Sequence, residues 1–181
     1  MRRLPVAKDG LMNPMGMSIS CIGIYGMGQR LFNASPVSTA WPLGNLSLFI
    51  PFRIGCPVVV VNLGVQNGTT VSGNIDVGIY SVDGVRLVSS GSTAQAGTSN
   101  TQVFNTADIL IGPGVFYFGL ALDNTTGTTR VFATYNVAFG QCIGMAEMTS
   151  AFPLPATATF ASYTRNYVPM CLAGTHPGGV L

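Results

Sequence analysis

The stretch VGIYSVDGVRLVSSG, residues 77–91, limits the fold of this chain more than any other. Two apolar runs flank Asp83-Gly84, a dipeptide suited to the positive φ angles of a tight type I′ turn, so the sequence predicts a β-hairpin. A two-residue loop would set Val82 against Val85, Tyr80 against Leu87 and Gly78 against Ser89. On the other face Ser81 would meet Arg86, Ile79 would meet Val88 and Val77 would meet Ser90. A sheet with one wet face alternates apolar and polar side chains. Here both faces carry large apolar side chains. One face is expected to enter the protein's own core. The other needs a terminal arm, the C-terminal segment or another subunit to cover it, leaving only Arg86 and Asp76 in water.

Further runs of the same kind surround the hairpin: LSLFIPFRI (46–54), PVVVVNLGV (57–65), NIDVGIYSV (74–82), TQVFNT (101–106), GVFYFGLALDN (114–124) and RVFATYNVAF (130–139). Asn67-Gly68, Gly112-Pro113-Gly114 and Thr126-Gly127 supply turn chemistry between them, and no stretch sustains a 3.6-residue period. This pattern predicts an all-β fold: an antiparallel, jelly-roll-like β-sandwich over residues 46–140.

The flanks read differently. Residues 1–45 are expected to form an N-terminal arm, rich in Pro, Gly, Asn and Ser, with Met12, Met15 and Met17 clustered and one short strand-like run, ISCIGIYG (19–26). Methionine adapts to irregular partner surfaces. Residues 141–181 are expected to form an extended C-terminal tail. Pro153, Pro155, Pro169 and Pro177 exclude regular central strands over much of it. Its aromatic and apolar content nevertheless requires a surface to lie on, either the chain's own sandwich or a neighbouring subunit.

Composition points to an assembly. Charged residues make up 8% of the 181, against roughly 25% in ordinary soluble domains, while 48% are hydrophobic. A free monomer needs more charge to stay soluble. A membrane span does not explain the surplus, because the charge-free windows 31–52, 54–75 and 87–107 are broken by prolines or filled with Ser, Thr, Gln and Asn. The start MRRLPVAKDG leads into no secretory apolar core, so a soluble, unprocessed chain is expected. Cys21, Cys56, Cys142 and Cys171 lack metal-ligand spacing and read as buried free thiols.

Catalytic chemistry is poorly supplied. The one histidine, His176, stands in GTHPGG near the C-terminus, and the six acidic residues are scattered. Asp83 is explained by its turn, and Asp108 in TADIL by capping of a turn. Asp123, Asn124 and Thr126 form an oxygen-rich group, for which a plain turn is preferred over a calcium site. GIYGMG (23–28) lacks the full glycine spacing and the βαβ setting of a dinucleotide fingerprint. No enzyme activity, cofactor or metal is expected. Arg2, Arg3 and Lys8 form the one basic cluster, too small to imply nucleic acid and better suited to a partner protein.

The segment from IPFRIGCPVVVVNLGV through VGIYSVDGVRLVSSG to ADILIGPGVFYFGLALDN, with SAFPLPATATFASY after it, resembles β-sandwich structural proteins of tailed bacteriophages over about residues 46–165. More loosely, its order of strand and turn motifs is similar to the non-catalytic jelly-roll modules of secreted bacterial proteases. The phage resemblance implies a non-enzymatic virion protein, made in the host cytoplasm. A capsid decoration (cement) protein is expected, forming a symmetric homo-oligomer on the major capsid protein and clamping the shell through its arms. Its expected subunit contacts are Arg2, Arg3, Met12, Met15, Met17, Trp41, Phe152, Tyr163 and Tyr167, with core packing as the competing role for the arm's apolar residues. The alternative is a tail, neck or fibre component recognising the host, with a carbohydrate as one candidate ligand, through Trp41, Phe116 or Tyr135 at loop tips.

Overall fold

The computed structural model describes residues 36–55, 57–132 and 136–175. They form an all-β antiparallel sandwich. The first layer contains β2 (Leu46–Ile54), β4 (Asn74–Ser81), β5 (Arg86–Ser89), β6 (Thr93–Ala94), β8 (Gly114–Leu122), β10 (Ala146–Met148) and β11 (Ala161–Ser162). Its order is β11-β10-β2-β8-β4-β5, with β6 beside β4. The second layer joins β12 (Cys171–Thr175), β3 (Val58–Gln66) and β7 (Thr101–Ile111) in the order β12-β3-β7. It continues into the pair β1 (Pro36–Ala40) and β9 (Thr128–Phe132) through the bridges Asn67–Thr129 and Val131–Pro169.

Between the layers lies the main core, with Leu46, Leu48 and Ile50 of β2, Ile75, Val77 and Ile79 of β4, and Leu63 and Val65 of β3. The alternation of each strand sets which residues enter it. A second apolar cluster lies outside the first layer. Phe49, Tyr80 and Ala121 meet Leu154 and Ala158 there, with Phe152 and Phe160 at its margin. Residues 151–160 therefore run as a strap across the outer face of that layer, and six consecutive residues of β4, Ile75 to Tyr80, are buried on both sides. At Tyr80 the second face of the hairpin is covered by the chain's own C-terminal segment, whereas Val82, Val85 and Leu87 near its tip stay exposed.

The hairpin itself is built differently from a type I′ loop. The Gly84 N–H donates to the Ser81 carbonyl at 3.1 Å, the Ser81 N–H donates to Val85 at 2.9 Å, and Gly84 takes φ +79°. The loop has three residues, with Gly84 in the left-handed position of a bulge. Tyr80 consequently faces Arg86 rather than Leu87. The extra residue Leu87 then restores the register, so Val88 and Ser89 still face Ile79 and Gly78.

Three further expectations are corrected. Residues 141–175 are not a separate tail: β10 pairs with β2, and β12 pairs with β3. Nor does the sandwich begin at residue 46, since β1 pairs with β9 along its whole length. The run 130–139 is not one strand; β9 ends at Phe132, and Val137–Cys142 form a short helix, α1, capped by Asn136, whose side chain accepts from the Phe139 N–H at 3.0 Å.

Candidate functional site

The strap is seated by complementary shape and by polar anchors. Gly78 of β4 faces Gly119 of β8 in the ladder, leaving a shallow trough in the sheet surface. A Cβ on Gly78 would lie 2.7 Å from the Val88 carbonyl oxygen and 3.2 Å from Leu154 Cδ1, and one on Gly119 2.8 Å from the Tyr80 ring and 3.4 Å from Leu154 Cδ1. Glycine at both positions is required first by the Val88 backbone and the Tyr80 ring, with Leu154 seated beside them. The Leu154 N–H donates to Asp76 Oδ2 at 3.0 Å, and its carbonyl accepts from Arg86 Nη1. Tyr80 donates its hydroxyl to the Pro155 carbonyl at 2.6 Å. Arg86 and Ala158 complete the seat, their N–H groups donating to Ala156 and Gly84. Burial pushes the Tyr80 phenol well above its usual range, against the lowering effect of Arg86.

Asp76 is not in water. It is fully buried, and its other oxygen accepts from the Ser89 and Ser90 hydroxyls at 2.7 and 3.2 Å. A buried carboxylate is tolerated only when such donors replace water. The sequence offered no signal for this, because the donors come from a neighbouring strand and from a backbone amide 78 residues away.

Among the expected subunit contacts, Trp41, Tyr163 and Tyr167 are buried in the main core of the chain itself. Trp41 packs edge-on against Tyr167 at 5.2 Å and donates its indole N–H to the Leu46 carbonyl. The Tyr163 hydroxyl accepts from the Tyr167 N–H at 2.8 Å, and the Tyr167 hydroxyl donates to the Thr39 carbonyl at 2.9 Å. Burial raises the Tyr163 phenol to about 12 and drives that of Tyr167 higher. These three rings hold β1 and β9 to the C-terminal segment and leave no surface for a neighbour. Phe152 is half-buried in the strap. Arg2, Arg3, Met12, Met15 and Met17 lie outside the described residues.

The loop-tip aromatics fare similarly. Trp41 is internal, Phe116 packs 5.9 Å from Phe52, and Tyr135 lies outside the described residues. The Asp123 carboxylate is occupied by the Asn74 N–H at 3.0 Å, the Asn74 amide at 2.9 Å and the Asn124 amide at 2.5 Å. Desolvation is the largest single influence and raises its pKa, but the hydrogen bonds together outweigh it and hold the carboxyl below its usual range. Oxygens turned toward N–H donors belong to a pinned turn. Cys142 is an exposed free thiol, whereas burial lifts the Cys171 thiol far above its usual range. Cys21, Cys56 and His176 lie outside the described residues. Among the described residues no group of three or more His, Cys, Asp or Glu side chains is placed to hold a metal. No described helix is long and apolar enough to cross a membrane.

The remaining feature of note is the outer face of β12-β3-β7. Leu110 and Val103 are 60% and 54% exposed there, with Val59, Val61 and Leu172 half-buried beside them. Leu110 faces Val59, Val103 faces Gly64, and Gly64 faces Leu172, so these side chains share one surface. Asp108 is the one charged residue in these three strands. It lies in a bulge where Thr106, Ala107 and Asp108 stand opposite Val61, and this breaks the apolar row. On its other side β7 pairs with no described strand. Sequence reading missed this surface because Asp108 suggested that the strand ended near residue 106. The signal lay in ILI beyond it. No family model, curated protein or solved structure matches the chain.

Proposed function

We propose that this chain is a non-enzymatic structural protein of a tailed-bacteriophage virion, a capsid decoration protein that works through contacts with the shell and with copies of itself. The observation that carries an assembly role is the apolar outer face of β12-β3-β7, bordered by an open edge strand and bearing one charge. Exposed apolar sheet surfaces are association sites. The phage assignment within that role rests on the sequence resemblance of residues 46–165. A chain with 8% charged residues suits a fixed place among neighbours.

Quantitative mass spectrometry of purified phage particles tests this reading. A copy number comparable to that of the major shell subunit is expected. A few copies per particle would move the protein to the tail or neck, and its absence from particles would overturn the virion reading. Deleting residues 1–16 tests the arm: occupancy of the shell should fall, and undiminished binding would refute an N-terminal clamp.

A further inference from the structure

Two exposed apolar surfaces of this chain carry charges of opposite sign. On the outer face of β12-β3-β7, Leu110 and Val103 stand with one anion, Asp108, which is exposed two residues from Leu110 along β7. The second surface lies on the other side of the sandwich, beyond the strap. Phe52 and Ile54 of β2 and Phe116 and Phe118 of β8 turn into the main core, so alternation sends Arg53, Val115 and Tyr117 outward. Arg53 faces Val115 in the ladder, and Pro51 faces Tyr117. Phe160 packs on the Tyr117 ring at 4.5 Å. Val115 is 44% exposed, and Arg53 is exposed beside it. This surface is apolar and aromatic, with one cation.

Most charges among the described residues are met within the chain. Glu147 accepts from Arg165, Asp76 from Ser89 and Asp123 from Asn74, while Arg86 and Arg130 donate to backbone carbonyls. Arg53, Asp83 and Asp108 have no hydrogen bond or ion pair among the described residues. Asp83 belongs to its turn. Arg53 and Asp108 cannot meet within one chain, because they stand on the outer faces of two different sheets, and packed sheets lie ~10 Å apart with the core between them. Two copies can bring them together. Neighbouring residues of a ladder such as Arg53 and Val115 are ~5 Å apart, and residues two apart on a strand such as Asp108 and Leu110 ~7 Å, a difference that the long arginine side chain spans. Setting Arg53 on Asp108 therefore sets Val115 on Leu110.

We propose that the outer face of β12-β3-β7 of one copy docks on the Arg53–Val115–Tyr117 surface of a second copy, with Arg53 paired to the neighbour's Asp108. The contact joins two different surfaces, so it runs head to tail and closes into a ring where the rotation allows. Three strands ~4.8 Å apart and about nine residues long give a face of about 400 Å². A standard interface takes about 800 Å² from each partner, so one such contact is weak, and a subunit reaches that area only when both of its surfaces are engaged. The inference rests on the assembly role proposed above and identifies the partner and both contact surfaces.

Sedimentation of the full chain over a concentration series tests it. The wild type should associate as concentration rises, and a chain still monomeric at ~1 mM would overturn the proposal. Arg53→Asp and Asp108→Arg each place like charges at the contact and should raise the concentration of half-association about tenfold or more. The two substitutions combined in one chain should bring it back towards the wild-type value. Wild-type association in either single variant, no recovery in the combined one, or recovery of Arg53→Asp by Asp83→Arg instead, would each be disproof. A charge-conserving variant gives a second measurement: in Arg53→Lys, a carbodiimide should couple the new amine to Asp108. With light and heavy-isotope chains mixed in equal amounts, mass spectrometry should find that link between chains of different isotope, and links to other carboxylates alone would count against the contact. Particle-bound protein whose association ignores the charge swap sinks this proposal alone, whereas swap-dependent association of a protein absent from particles sinks only the virion reading.

Discussion

Leu154→Ala measures what the strap contributes. Leu154 is 2% exposed and sits in the Gly78–Gly119 trough. Buried Leu→Ala changes cost about 2–5 kcal/mol, the spread depending on how far the surroundings close over the gap. Here closure is restricted, because the backbone of Leu154 stays fixed by Asp76 and Arg86 whatever side chain it carries. The cost should therefore be about 4 kcal/mol, in the upper half of that range. For a chain of this size, 1 kcal/mol corresponds to about 2–4 °C, so the Tm should fall by about 8–16 °C. Leu43→Ala, at a leucine 40% exposed, should cost less than about 1 kcal/mol. Thermal and urea unfolding of both variants give the comparison, and hydrogen exchange across 75–80 shows whether the loss is local to the strap. Equal destabilisation by the two substitutions would refute the packing of 151–160 onto the sheet.

Other consequences follow from the same contacts. Gly84→Ala should be severe, since a non-glycine residue at φ +79° costs about 1–2 kcal/mol and its Cβ would collide with the Ala158 carbonyl oxygen. The expected readout is a loss of more than about 2 kcal/mol in urea unfolding. Burial raises the phenols of Tyr80, Tyr163 and Tyr167 above the usual 10, so between pH 10 and 12 the folded chain binds more protons than the unfolded one. Stability is then fully present below pH 10 and falls as pH rises toward 12, and the tyrosinate absorbance of these residues should emerge together with unfolding. Separate earlier titration of all three would contradict their burial. Glu147 accepts from Thr164 and Arg165, its side chain 8% exposed against 29% for the arginine. Glu147→Ala should cost about 1–2 kcal/mol and Arg165→Ala less than about 1, read by urea midpoints. A thiol reagent should modify Cys142 at once and Cys171 only on unfolding.

Strands were legible wherever alternation was uninterrupted. LSLFIPFRI has the same bounds as β2, and NIDVGIYSV differs from β4 by one residue. Legibility failed where a local cue had two meanings. VAFGQC continues an apolar run, and six residues are too few to show a helical period. Asp108 in TADIL reads as a turn cap, yet it sits in the bulge of a strand that continues to Ile111. Trp41, Tyr163 and Tyr167 stand among prolines and polar residues, which suggested arms. Their partners are distant in sequence, Thr39 lying 128 residues from the hydroxyl it accepts. A sequence read locally shows that such side chains require cover, but not what covers them.

That distinction changes the weight of the composition. A chain with 48% hydrophobic residues can place the surplus against neighbours or against itself. The strap does the second: Phe49, Tyr80, Ala121 and Leu154 form an apolar layer outside the sandwich that a two-layer fold would leave in water. Assembly therefore does not follow from low charge as a whole, and the deciding feature is the surface that no described residue covers. The two layers are unequal in this respect. β4 and β8 carry paired glycines and a strap fitted over them, whereas β3 and β7 present Val59, Val103 and Leu110 beside an unpaired edge. The chain has closed one sheet with its own C-terminal segment, whereas among the described residues nothing covers Val103 and Leu110 on the other.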